Sequence, residues 1–115
     1  MGHELEKKGS DLSRIHFEVI SKLGIKIRTT ERYWNVITTI KHPILKGKEL
    51  EVQEVLRNPD IIHQSRGDKN VHLFYRKQVR HYLVVVVRHL NQYEGFIITS
   101  YITDTVKEGT QIWPK

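Results

Sequence analysis

The spacing of hydrophobic positions changes along the chain, and this change separates expected helices from expected strands. Between residues 31 and 42 the apolar residues recur every three or four positions, which is the repeat of one helix face. They are Tyr33, Val36, Ile37 and Ile40. We expect this helix to end before Pro43, because proline disfavours helical geometry at the residue before it. A second, shorter helix is expected over residues 48–58, ended by Pro59.

After Pro59 the apolar residues fall into short β-branched and aromatic runs with turn residues between them, a pattern typical of strands. Four such runs follow one another, namely DIIHQS, VHLFYRK, RHYLVVVVRHL and GFIITSYIT. Their short connections predict four consecutive antiparallel strands. The expected fold is therefore α+β, with N-terminal helices packed on a four-stranded antiparallel β-sheet.

The two ends of the chain carry weaker patterns. Residues 1–13 are polar without a period, and we expect a flexible N-terminus before a single domain over residues 14–115. The alternation at 14–28 favours one or two short strands, with the start of an amphipathic helix as the alternative. At the other end, a turn at Gly109 and the apolar pair Ile112–Trp113 predict a last short strand or a lid on the sheet.

Expected hairpin pairing sorts the side chains between the two faces of the sheet. We expect Tyr75 opposite Tyr82. Arg88 is expected opposite Ile97, and alternation then assigns the rest. The face covered by the helices would hold Phe74, Leu83, Val85, Val87, Phe96, Ile98 and Ile102. The other face would hold Tyr75, Tyr82, Arg88, Thr99, Tyr101 and Thr103. Phenols, hydroxyls and a guanidinium on one face suit RNA, because bases stack on aromatic rings and phosphates pair with arginine.

Composition narrows the class of protein. The chain has 115 residues, with 19 Lys and Arg against 13 Asp and Glu, and no cysteine. A chain of this length forms one core, and the lack of cysteine excludes a disulfide scaffold, a thiolate metal site and a cysteine nucleophile. No apolar run approaches a membrane span, so we expect a soluble cytoplasmic protein with no membrane partner. The net charge of +6 favours a polyanionic partner such as RNA.

His42 is the first candidate for proton transfer. It belongs to the triplet Lys41-His42-Pro43, where the helix is forced to end, and an imidazole there is able to take a proton from a ribose 2′-hydroxyl. The alternative is a histidine that only interacts with the helix dipole. The histidines lack the spacing of a metal-binding motif, and the dinucleotide, P-loop and nucleophile-elbow motifs are absent. We therefore expect neither a metal nor a cofactor.

Further side chains are candidates for holding a phosphate. Arg76 and Arg88 would clamp it and offset its developing charge. Thr99 and Tyr101 would donate hydrogen bonds to phosphate oxygens or to the leaving 5′-oxygen. For each residue taken singly, a packed or solvated strand position is the alternative. Lys107, in the KEG turn, would present a cation to the same face.

Several short strings of the chain, taken in order, resemble one group of small prokaryotic proteins. They are KHP, VLRNPDII, SRGD, LFYR, VVVR, GFIITSYITD, KEG and IW, within residues 34–113. The group is the phage-linked branch of the barnase, EndoU, colicin and RelE-like (BECR) nuclease superfamily. The resemblance implies helices against a four-stranded antiparallel sheet. It also implies metal-independent RNA cleavage, in which the 2′-hydroxyl attacks the adjacent phosphorus.

The resemblance also implies roles for residues and for partners. By that similarity His42 is base or acid, the two arginines steady the phosphate, and the Thr–Tyr pair holds the scissile group. The candidate catalytic residues are thus His42, Arg76, Arg88, Thr99 and Tyr101, and the candidate substrate contacts are Lys41, Tyr75, Tyr82 and Lys107. Members of the group often resemble toxins of toxin–antitoxin pairs, so an acidic antitoxin is an implied partner, and a homodimer is left open.

Two other classes of function remain open at this point. The first is a non-catalytic RNA-binding module, which would use the same sheet without cutting RNA. It stays open because relatives often have an acidic residue after the His-Pro pair, where this chain has Ile44. A protein-interaction domain would instead use a sheet edge or the Ile112–Trp113 tail.

Overall fold

In the described part of the chain, seven strands form one sheet. The computed structural model describes residues 14–106 and 109–115. The strands are β1 (Ile15–Ile20), β2 (Lys26–Thr30), β3 (Ile61–Gln64), β4 (Val71–Lys77), β5 (Tyr82–His89), β6 (Glu94–Thr103) and β7 (Thr110–Trp113). The helices are α1 (Glu31–Val36) and α2 (Glu49–Arg57), with a π-helical turn at Ile37–Lys41 and a 3-10 turn at Pro43–Leu45.

The expected fold class is wrong. The strand order is β1-β2-β6-β5-β4-β3-β7, and β2 pairs with β6 in parallel while the other neighbours are antiparallel. The protein is therefore a mostly-sheet structure with a seven-stranded mixed sheet and two short α-helices in the described residues. It is not a pair of N-terminal helices on a four-stranded antiparallel sheet.

The additional strands come from the two ends of the described chain. β1 and β2 form a hairpin, and β2 then joins β6, so that Lys26 is paired with Glu94. At the other end β7 joins β3, which bears out the expectation of a last short strand. Neighbours in a sheet are more often adjacent in sequence, and local patterning does not show which distant edge a strand will join.

The predicted ends of the two helical segments are confirmed, because they depend on local sterics, but the first segment is α-helical only to Val36 and continues as the π-helical turn. Thr30 caps α1 by accepting a hydrogen bond from the Tyr33 N–H at 3.1 Å. The helical segment ends at His42, with φ −140° and ψ 75°, directly before Pro43. α2 ends at Arg57, ahead of the next proline.

The sheet has two faces with different covers. The face that we call the helix face packs against α1, α2 and the turns between them. Its buried residues include Ile27, Ile37, Leu56, Phe74, Val85 and Ile97. The opposite face, which we call the second face, has a smaller buried cluster of Leu73, Tyr75, Val84 and Val86. Both clusters bury apolar area, which is the main favourable contribution to folding.

A β-bulge in β6 changes the predicted register. Val86 is opposite Thr99, but the next residue, Val87, is opposite Ile97, so Ile98 is the extra residue. Ile97 is consequently in the core of the helix face, and Ile98 packs on the second face, contrary to the prediction.

The hairpin pairings also differ from the prediction. Tyr75 is opposite Val84 rather than Tyr82, and Arg88 is opposite Phe96 rather than Ile97. The shift in the first hairpin is two residues, which keeps every side chain on its face.

The middle of the second face is covered. Val106, which follows β6, packs against the buried cluster of this face. Tyr75, in the same cluster, is only 1% exposed.

Gly95 is required where β6 lies between two strands. A Cβ at this position would be 2.4 Å from the carbonyl oxygen of Arg88, and that backbone atom belongs to the β5–β6 ladder. We expect Gly95→Ala to lower the free energy of unfolding by about 2 kcal/mol, the usual scale for overpacking. The matched control is Gly67→Ala, where a Cβ has no atom within 4 Å. Urea unfolding of both variants checks this, and equal midpoints would contradict it.

Candidate functional site

His42 lies where the helical segment after β2 ends. Its backbone N–H donates to the Ile37 carbonyl at 2.7 Å and closes the π-helical turn. The half-buried imidazole lies beside the ring of Tyr101 on β6, with ring centroids 6.0 Å apart and 39° between the ring planes. Two predicted catalytic residues that are far apart in sequence are therefore neighbours in the structure.

Thr99 lies on the same face of β6 as Tyr101. Thr99 is opposite Val86 and Tyr101 is opposite Val84, and both valines belong to the second face. The Thr99 Oγ1 is buried and has no hydrogen-bond partner among the described residues. A buried hydroxyl without a partner costs free energy. We call His42, Thr99 and Tyr101 the β6 site.

Arg76 lies on the other face of the sheet. It is opposite Leu83 and alternates with Phe74, and both of these residues belong to the helix-face core. Its Nη1 donates a hydrogen bond to the carbonyl of Asn58. Arg76 thus secures the chain at the end of α2 and is separated from Tyr101 by the sheet.

Arg88 lies on the second face but away from the β6 site. It is four residues along β5 from Val84, the residue opposite Tyr101, a separation of about 13 Å at the usual strand rise. Its guanidinium forms an ion pair with Asp68. A hydrogen bond from the backbone N–H of Asn70, at 2.9 Å, lowers the pKa of the Asp68 carboxyl, and the bond from Arg88 lowers it further. The structure does not bring either predicted arginine to His42.

The predicted substrate contacts that the structure describes differ in how exposed they are. Lys41 is exposed, with Nζ 6.0 Å from the centre of a tyrosine ring in α1. Tyr82 is half-buried on the second face, with the Lys77 Nζ 4.7 Å from its ring centre. Tyr75 is buried and leaves no surface for a base to stack on. Lys107 lies outside the described residues.

A cavity that the sequence analysis missed opens between β2, β6 and α1. The parallel ladder between β2 and β6 ends at Arg28 and Phe96, and beyond it lies a cavity of about 170 Å³. The lining residues are Arg28, Thr29, Thr30, Tyr33, Phe96 and Ile97. They come from three elements, so no single motif marks them. One signal was available, because alternation places the Thr29 hydroxyl on the same side of β2 as the buried Ile27.

His72 and His89 form a largely buried pair on the helix face. Their ring centroids are 4.4 Å apart, and neither His72 Nδ1 nor His89 Nε2 has a hydrogen-bond partner among the described residues. Burial lowers the pKa of His72. Burial, together with the neighbouring His72, lowers the pKa of His89 from 6.5 to about 4. Both imidazoles are therefore neutral at pH 7.

This histidine pair predicts that acid destabilises the fold. The unfolded chain binds a proton at His89 near pH 6.5 but the folded protein binds it only near pH 4, so the free energy of unfolding falls as the pH falls between these values. Allowing for partial exposure of the ring, we expect a loss of about 2 kcal/mol. Urea unfolding from pH 7.5 to 4 checks this for the wild type and for His89→Gln. The variant is expected to have the shallower pH dependence, and parallel profiles would contradict the assignment.

Neither a metal cluster nor a membrane span is found in the described ranges. Across residues 14–106 and 109–115, no three histidine or carboxylate side chains converge to hold a metal ion. Over the same residues, every helix is too short or too polar to traverse a bilayer.

Comparison of the chain with protein-family models, with curated proteins and with solved structures gives no match. The resemblance to the BECR nucleases therefore stays a prediction carried by the motifs, and the function has to be argued from the site.

Proposed function

We propose that the protein is a metal-independent endoribonuclease that cleaves RNA by attack of the ribose 2′-hydroxyl on the adjacent phosphorus. The observation that carries the proposal is the contact between His42 and Tyr101. A histidine at a sterically fixed helix end and a phenol on the neighbouring strand place a proton acceptor and a proton donor side by side. The net charge of +6 supports a polyanionic substrate.

The reaction assigns one proton transfer to each member of this pair. His42 accepts the proton of the 2′-hydroxyl as its oxygen forms a bond to phosphorus. The bond from phosphorus to the 5′-oxygen breaks, and the leaving oxygen takes a proton from the Tyr101 hydroxyl. Proton exchange from the imidazolium to the phenolate through solvent restores both groups. The products are a 2′,3′-cyclic phosphate and a free 5′-hydroxyl.

Other side chains near this pair stabilise the charge on the phosphate. The Thr99 hydroxyl has no hydrogen-bond partner among the described residues, and we assign it to donate a hydrogen bond to a non-bridging oxygen. Lys41 is exposed and precedes His42 in the sequence. It supplies the positive charge near the phosphate that was predicted for Arg76 and Arg88. Arg76 and Arg88 have structural bonds of their own, so the proposal gives them no direct role.

We also propose that the protein acts in the cytoplasm as the toxin of a toxin–antitoxin pair. This part rests on the motif resemblance and on the basic charge, which suits an acidic antitoxin. The proposal does not require a homodimer.

The test is incubation of the purified protein with mixed cellular RNA, with and without EDTA, followed by analysis of the product ends. We expect cleavage in both conditions, with cyclic phosphate at the new 3′ ends. Intact RNA after incubation with folded protein would contradict the proposal. Salt-sensitive binding without product would favour the RNA-binding module instead.

A further inference from the structure

The cavity beside α1 has the features of a binding pocket for one flat ring. Its volume of about 170 Å³ is below the roughly 300–1,000 Å³ of pockets that take drug-sized ligands. Two aromatic side chains, Tyr33 and Phe96, line it, and aromatic surfaces favour stacking with planar ligands. A single ring system is therefore the size of ligand that the cavity admits.

One of the residues that line the cavity, Thr29, has a buried hydroxyl. Thr29 is 3% exposed, and its Oγ1 is buried without a hydrogen-bond partner among the described residues. Leaving a buried hydroxyl unpaired is costly. A hydroxyl both donates and accepts a hydrogen bond, so the Thr29 hydroxyl is suited to the polar edge of a heterocycle once the side chain turns toward the cavity.

The rim of the cavity is cationic. The Arg28 Nη1 is 2.5 Å from the Glu94 Oε1. A guanidinium has five N–H donors, so other donors remain for a phosphate. Lys41 lies nearby, with Nζ 6.0 Å from the ring centre of Tyr33. Positive groups at the rim and apolar surface inside match a nucleotide, which combines an anionic phosphate with a flat base.

The cavity and the β6 site are connected by β6 and by the helical segment. Phe96 and Tyr101 belong to one strand and are about 16 Å apart at the usual rise per residue. The helical segment leads from Tyr33, which lines the cavity, to His42, which belongs to the β6 site. A single strand of RNA held at the β6 site therefore has the cavity within reach of a nearby base.

We propose that this cavity is a nucleobase subsite, which seats one base of single-stranded RNA against Tyr33 and Phe96 and distinguishes bases through the Thr29 hydroxyl. The inference rests on the proposed function for its substrate, but the subsite is testable without cleavage.

The experiment is an amide chemical-shift titration of the His42→Ala protein with each of the four ribonucleoside 5′-monophosphates. We expect shifts in residues that line the cavity, with one nucleotide bound about tenfold more tightly than the weakest. Thr29→Val removes the hydroxyl at nearly constant volume, so it is expected to reduce that preference about tenfold and keep the fold. Thr39→Val, at an exposed position, is the matched control and is expected to keep the preference.

The outcomes separate the subsite from the nuclease. The subsite proposal is overturned if no nucleotide shifts the amide signals of the cavity residues, or if Thr29→Val keeps the full preference among nucleotides. RNA cleavage by the wild type would not be contradicted by either result. If a nucleotide binds in the cavity with the expected preference but the wild-type protein leaves RNA intact, the nuclease proposal fails and the subsite belongs to an RNA-binding protein.

Discussion

Replacing His42 with alanine lowers the rate of RNA cleavage about 100-fold or more, which is the usual scale for loss of a general acid–base group. The imidazole is the only proton acceptor that the proposed mechanism provides for the 2′-hydroxyl. Tyr101→Phe keeps the ring beside His42 and removes the hydroxyl that protonates the leaving 5′-oxygen, so we expect its cleavage rate to fall by about 100-fold as well. Single-turnover cleavage of one RNA oligonucleotide measures both effects.

His81→Ala is the matched control for the histidine substitution. His81 lies beside Lys48, Leu83 and Ile102, on the helix face of the sheet, whereas Tyr101 is on the second face. We expect its cleavage rate to equal that of the wild type. Equal rates for His42→Ala and the wild type, with both proteins folded, would move the chemistry away from the β6 site.

Replacing Tyr75 with alanine lowers the free energy of unfolding by about 4 kcal/mol, the scale measured when a large aromatic side chain is removed from a core. The side chain is 1% exposed, and its ring packs at right angles to that of Tyr82, with centroids 6.1 Å apart. The effect of Tyr75→Ala is therefore on stability, and the RNA affinity of the folded fraction is expected to stay within about twofold of the wild type.

Tyr82→Ala is the comparison variant for Tyr75→Ala on the same face of the sheet. Tyr82 is half-buried and carries the Lys77 ammonium over its ring, so its loss is expected to cost about 1 kcal/mol of stability. Urea unfolding and filter binding at low temperature check the pair of variants. A Tyr75→Ala protein of normal stability with weakened RNA binding would contradict its assignment to the core.

The ends of the helical segments were predictable from the sequence, because local sterics determine them. The helical segment ends at His42 because Pro43 follows. The joining of β2 to β6 was not predictable in this way, because it depends on contacts between segments far apart in sequence. The bulge at Ile98 was also missed. The alternation is regular on each side of a bulge, so the sequence pattern does not show which residue is the extra one.

The candidate site was predictable in part. The motif resemblance named His42 and Tyr101, which the structure places side by side. The same resemblance named Arg76, although alternation with Phe74 already indicated the helix face for it. The Thr29 cavity was not foreseen, because three elements that are separate in the sequence have to meet before it exists.

The most direct test of the account compares one RNA oligonucleotide with the DNA oligonucleotide of the same base sequence, both incubated with the wild-type protein in EDTA. The proposed reaction needs the 2′-hydroxyl as nucleophile, so we expect the RNA to be cut to products with cyclic phosphate ends and the DNA to remain whole. Cleavage of the DNA, or survival of both strands with folded protein, would contradict the central claim.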